Sequence, residues 1–160
     1  MINGLSDLLS RLIDRHVDFV VVGGFAAVAH GCTLLTQDID ICCDFSEDNL
    51  LKLQRAVADL HPVHRMTPQR LPLKLTRKFC KGLKNLYLDT DYGPLDCLSS
   101  VLGIGEFAVV KEQSTALNTG IRVLSLDALI KAKKAMGRDR DKTAVIQLEA
   151  IKNLADTRRS

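Results

Sequence analysis

Four consecutive apolar residues, Phe19 to Val22, run directly into Gly23-Gly24. A short run rich in β-branched side chains predicts a buried strand rather than a helix. Two glycines after it predict a sharp strand-to-helix turn whose backbone N–H groups can face an incoming anion. Phe25 to His30 then read as a short helix and Gly31 to Thr36 as a turn, before the chain returns as Asp38-Ile39-Asp40-Ile41-Cys42. In an extended segment the period of two sets Asp38 and Asp40 on one face and sends Ile39 and Ile41 into the core. Two carboxylates held this close repel each other, and a divalent cation offsets that repulsion most directly.

A chain of 160 residues with 46% apolar character can fill one core of ordinary domain size. The expectation is a single domain over residues 1–160, with residues 125–155 forming C-terminal helices. The net charge of +3 hides an asymmetry, because residues 1–64 carry four Lys/Arg against nine Asp/Glu. Residues 65–84 hold seven Lys/Arg and no acid. A basic block beside an acidic site suits a polyanionic substrate, although a solvated surface has the same composition. The five cysteines form no C-x-x-C pairs and predict reduced, mostly buried thiols. The N-terminus does not read as a signal peptide, and no apolar run approaches the roughly eighteen residues of a spanning helix, so a cytoplasmic protein without a membrane span is expected.

Along the chain, Leu5 to His16 have amphipathic helical spacing, with Asp7 as a cap of the first turn. Ser46 caps a helix carrying Leu50, Leu53, Val57 and Leu60, ended by His61-Pro62. Residues 62–84 are poorly patterned, with Leu71, Leu73 and Leu75 alternating as a short edge strand or loose arm would. Two extended runs, 86–89 and 94–98, flank a Gly93 turn and predict a hairpin. On its second strand Asp96 faces away from Leu95 and Cys97, and an unpaired carboxylate there needs a partner. Phe107 to Lys111 and Gly120 to Leu124 read as two further strands. Ser125 caps a helix over 126–136 that Gly137 closes, and Asp139 caps a last helix over about 140–154. The tail from Thr157 to Ser160 is expected to fray.

Gly23-Gly24 followed by Asp38-Ile39-Asp40 resembles the hallmark of the polymerase-beta-like nucleotidyltransferase superfamily. VVGGFAAVAHGCTLLTQDIDI together with LSLDALIKAKKAMGRDRD is more closely similar to small bacterial nucleotidyltransferases related to the toxin components of AbiE-type systems, over roughly residues 5–155. This resemblance implies an α+β fold, a small mixed β-sheet flanked by helices. It also implies binding of a nucleoside triphosphate, ATP among the candidates, with Mg²⁺ or Mn²⁺, and transfer of a nucleotidyl group to a hydroxyl on RNA, protein or a small molecule. Carried over by position, Asp38, Asp40 and Asp96 are the catalytic and metal-binding carboxylates, with Asp89 or Asp91 as fallback for the third. Gly23, Gly24 and Thr36 form the phosphate turn, Lys133 and Arg138 contact the nucleotide, and Asp141 pairs with a nearby base. An antitoxin-like partner belongs to the same implication.

The chain departs from that pattern at Thr33 and Leu34, where many such relatives carry an arginine before the aspartate pair. Loss of that guanidinium removes a charge-assisted fork near the phosphates, which Lys133 or Arg138 would have to replace. The alternative of another class is a non-catalytic nucleic-acid- or protein-binding module of the same fold, using the basic block at 65–84.

Overall fold

The computed structural model describes residues 2–159. Its centre is a seven-stranded mixed sheet made of β1 (Phe19–Val22), β2 (Ile39–Cys43), β3 (Val63–His64), β4 (Asn85–Thr90), β5 (Gly93–Leu98), β8 (Ser114–Ala116) and β9 (Arg122–Leu124). Their order across the sheet is β3-β4-β5-β2-β1-β9-β8. A separate two-stranded ribbon pairs β6 (Ser100–Val101) with β7 (Gly105–Glu106). The helices are α1 (Ile2–Asp14), α2 (Gly23–Ala29), α3 (Glu47–Val57), α4 (Arg77–Cys80), α5 (Phe107–Glu112), α6 (Leu126–Met136) and α7 (Asp139–Arg159). The expected mixed sheet flanked by helices, with C-terminal helices, is therefore what the chain forms.

β2 pairs antiparallel with β1 and parallel with β5, so the middle of the sheet is mixed. Ile39, Ile41, Leu95 and Cys97 alternate away from Asp40 and Asp96 and are fully buried with Leu50 and Leu53 in one apolar core. Truncating one of these leucines to alanine would cost about 2–5 kcal/mol through lost burial and the cavity left behind. All five cysteines are buried and free, and burial pushes the Cys42 thiol up to about 12, so it is an inert apolar filler.

Helix ends follow local chemistry. The Ser46 hydroxyl accepts from Asn49 N in the first turn of α3, and Ser125 accepts from Ala128 N in α6. Gly137 ends α6 in the left-handed region at φ 66°, where a side chain would be strained.

Several expectations change. α1 begins at Ile2, which puts Asp7 inside the helix rather than at its cap. The segment from Phe107 is helix α5, not a strand. Glu106 is its extended N-terminal flank, and Ala108 and Val109 are both exposed before the buried Val110, with Lys111 and Glu112 both exposed after it, a pattern that breaks two-residue alternation despite the β-branched composition. β6, β7 and β8 are too short to announce themselves. The segment 62–84 forms a two-residue edge strand and then α4, capped by Thr76, with Leu73 and Leu75 buried and Leu71 exposed. α7 runs to Arg159, past the expected end near Leu154, and Ser160 lies outside the described residues.

Candidate active site

The register that builds the core also builds a cluster of acids. Asp40 on β2 stands beside Asp96 on β5, and Asp96 stands beside Tyr87 on β4, so these three side chains share the sheet face opposite the buried isoleucines. Asp38 precedes β2, is exposed, and is near enough to act electrostatically on both. Burial, reinforced by the charges of Asp96 and Asp38, pushes Asp40 up to about 6, against the pull of Lys133. Burial raises Asp96 as well, although Arg65 opposes it. These acids are under-neutralised.

Gly23 is the reason Asp40 can sit where it does. Its φ is 67°, and a Cβ added there would lie 2.3 Å from Asp40 Oδ2. A side chain at position 23 would have to displace that carboxylate, and a non-glycine residue would also be strained at this φ. A Cβ on Gly24 would meet Thr36 Oγ1 at 3.1 Å, while that hydroxyl donates to Asp38 O. The glycine pair thus packs directly beneath the turn that delivers Asp38.

Beside Asp40 opens a cleft of about 700 Å³, lined by Gly23, Asp40, Lys133 and Arg138 at one end and by apolar groups such as Ile104 and Met136. Its cations are held from behind by Asp141, which is 1% exposed. Arg138 Nε donates to Asp141 Oδ2 at 2.6 Å, Arg138 N donates to the same oxygen at 3.2 Å, and Lys133 Nζ lies 3.6 Å from Oδ1. Burial works to raise Asp141, yet the hydrogen bonds from Arg138 and the charges of Arg138 and Lys133 outweigh it and hold the carboxyl below its usual range. Lys133 and Arg138 also act electrostatically on Asp40. In the turn that carries Thr33 and Leu34, Thr33 N donates to Gln147 Oε1 of α7 at 3.0 Å and Leu34 packs on the core.

Arg65 is the residue that sequence reasoning left inside an undivided basic block. Its Nη2 comes within 2.5 Å of Asp96 Oδ1, but the approach is not aligned as a hydrogen bond, and that oxygen is buried with no hydrogen-bond partner. The guanidinium lies over the Tyr87 ring at 5.9 Å. The fallback acids are already engaged, Asp89 by Arg70 and Asp91 by His61. The block itself splits around the sheet edge. Arg65 and Arg70 meet acids on the Asp96 face, whereas Arg77 pairs with Glu47 at the start of α3, on the helix-covered side. No local periodicity distinguishes these arginines, because β3 is only two residues long.

Among the described residues no three His, Cys, Asp or Glu side chains stand close enough to share one ion. The pair Asp40 and Asp96 nevertheless fits a hard divalent cation. Its donors are carboxylate oxygens, one of them a buried orphan, and Mg²⁺ characteristically takes one or two protein carboxylates and completes its shell with phosphates and water.

No protein-family model matches this chain, and no curated protein is detectably similar to it in sequence. Solved structures do match. The antibiotic-resistance factor ANT(2'')-Ia in solution superposes with a TM-score of 0.52 at 13% identity, covering 99% of this chain and 96% of that one. The crystal structure of ANT(2'')-Ia in complex with adenylyl-2''-tobramycin gives 0.54 at 12% identity, over 98% and 97%. A Thermotoga maritima protein assigned as a nucleotidyltransferase gives 0.52 at 16% identity, over 99% and 90%. At these identities the likeness is one of fold, which the chain shares with these three structures.

Proposed function

We propose that this chain is a metal-dependent nucleotidyltransferase, moving an NMP group from a nucleoside triphosphate to a hydroxyl acceptor with release of pyrophosphate. The observation that carries this reading is the pair Asp40 and Asp96, set side by side on adjacent strands at the Gly23 turn and short of positive charge. Asp40 and Asp96 would hold Mg²⁺ or Mn²⁺, with the charge of Asp38 beside them, and the ion when bound supplies neutralisation of the phosphates and a lower pKa for the attacking hydroxyl.

The chain's own groups do the positioning. Gly23 and Gly24 make room for Asp40 and Thr36 at the turn against which the triphosphate would lie. Lys133 and Arg138, fixed by Asp141, present cations to it from the cleft side and take over from the missing arginine. The acceptor oxygen attacks the α-phosphorus in line, the bond to the bridging oxygen of the β-phosphate breaks, and one of the aspartates takes the hydroxyl proton.

The acceptor may be sought among RNA, protein and small molecules alike. The neighbour bound to adenylyl-2''-tobramycin supports a nucleotide donor with a small-molecule acceptor. The kinship to toxin components, and with it an antitoxin-like partner, rests on the sequence motifs. The rival reading, a binding module built on the basic block, is weakened because that block does not present one face.

The test is incubation with each labelled nucleoside triphosphate, Mg²⁺ or Mn²⁺, and total RNA, candidate proteins or a panel of small hydroxyl compounds. Transfer by the wild-type chain that disappears in Asp38→Asn/Asp40→Asn is expected. Transfer that persists in the double variant overturns the site.

A further inference from the structure

We propose that Arg65 occupies the cation's place on Asp96 in the unloaded protein, so that a divalent cation must expel this guanidinium before the carboxylate pair can close on it. The inference rests on the nucleotidyltransferase reading and assigns a positioning role to a residue outside its motifs.

Three observations carry it. Asp96 Oδ1 is buried, has no hydrogen-bond partner, and has Arg65 Nη2 at 2.5 Å, so its charge is balanced by proximity rather than by an aligned bond. Arg65 is otherwise lightly held. Beyond Asp96 its side chain has only Nη1 to Leu88 O at 3.4 Å and the guanidinium 5.9 Å from the Tyr87 ring centroid, while its backbone N–H, donating to Tyr87 O at 2.9 Å, anchors the residue at the sheet edge. Finally, the cleft that admits substrate is lined by Asp40 and not by Asp96, whose side chain is 16% exposed beneath Arg65. A cation entering at Asp40 therefore meets an Asp96 already spoken for.

The competition follows from charge. A guanidinium and a divalent ion cannot both sit against one carboxylate oxygen, because their repulsion at such separations in a partly buried site is large. Expelling the Arg65 guanidinium requires breaking one ion pair and one long hydrogen bond. Arg138 on Asp141 offers the opposite geometry, with several aligned bonds, and is not displaceable in this way.

The experiment is a Mn²⁺ titration of the full chain without nucleotide, followed by electron paramagnetic resonance, on wild type, Arg65→Gln, Arg65→Lys and Asp96→Asn. Arg65→Gln is expected to bind Mn²⁺ at least about tenfold more tightly than wild type, within the usual range of coupling between sites. Arg65→Lys, which keeps the charge, should stay near wild type, and Asp96→Asn should lose the gain when combined with Arg65→Gln. Thermal melts give a second readout. In chelator Arg65→Gln should melt below wild type, because Asp96 has lost its counter-charge, and Mn²⁺ should raise it by more than it raises wild type.

An unchanged or weaker Mn²⁺ affinity in Arg65→Gln overturns the proposal, as does a melting deficit of equal size with and without the ion. Either result alongside nucleotidyl transfer by the wild type leaves the proposed function standing and removes only the role of Arg65. Absence of both Mn²⁺ binding and transfer in every form removes both.

Discussion

Two carboxylate sites serve the same cleft and are built in opposite ways. Asp141 is almost wholly buried, yet two cations and a backbone N–H surround it, and its proton affinity falls. Asp40 and Asp96 retain more exposure, have poorly aligned or distant counter-charges, and their proton affinities rise. Burial alone therefore does not decide which acid is strained. Partner geometry does, and the strained pair is where an added cation gains most.

The widest test of that contrast is Asp40→Asn. On the proposed function, loss of this carboxylate should lower nucleotidyl transfer by at least about a thousandfold, equivalent to several kcal/mol of transition-state charge stabilisation. Chemical denaturation in chelator at pH 7.5 should show the same variant to be more stable than wild type. A stability loss there would break the claim that this acid is under-neutralised. Asp141→Asn should go the other way, destabilising by about 3–5 kcal/mol because Lys133 and Arg138 are left facing a neutral group.

Titration separates the two sites. With Asp40 raised from 3.8 to about 6, the folded state holds a proton that the unfolded state has already lost between those values. Metal-free stability should thus fall by about 3 kcal/mol as pH rises from about 4 to 6, with Asp96 adding in the same direction. Asp141, held below its usual range, contributes stability that is present at neutral pH and lost only as pH drops below about 4. Denaturant midpoints in chelator across pH 3 to 8 would reveal both limbs, and Asp40→Asn should flatten the upper one.

Smaller effects sharpen the picture. Gly23→Ala should cost roughly 1–3 kcal/mol from strain at positive φ and shift Asp40, visible as loss of the upper titration limb. Lys78→Ala with Lys81→Ala, both exposed near the helix-covered side, should change stability by no more than about 0.5 kcal/mol and leave Mn²⁺ affinity alone.

Much of this architecture was legible before any coordinates. The Phe19–Val22 strand, the Gly93 hairpin and the Ser46 and Ser125 caps announce themselves through local chemistry, and period-two alternation put Asp96 opposite Leu95. What escaped was decided by long-range packing. Phe107 to Glu112 have strand-like composition but follow the Gly105 turn into a helix, and β8 spans only three residues. Arg65 could not be singled out, since seven basic residues in twenty look alike until the sheet edge sends them to different faces.

The near-collision between position 23 and Asp40 carries a consequence for the ancestry of chains like this one. The two sites behave as a single heritable unit: a lineage that acquired any side chain at 23 would be pressed to abandon or relocate the acid opposite, and one that lost the acid would be released to fill the space.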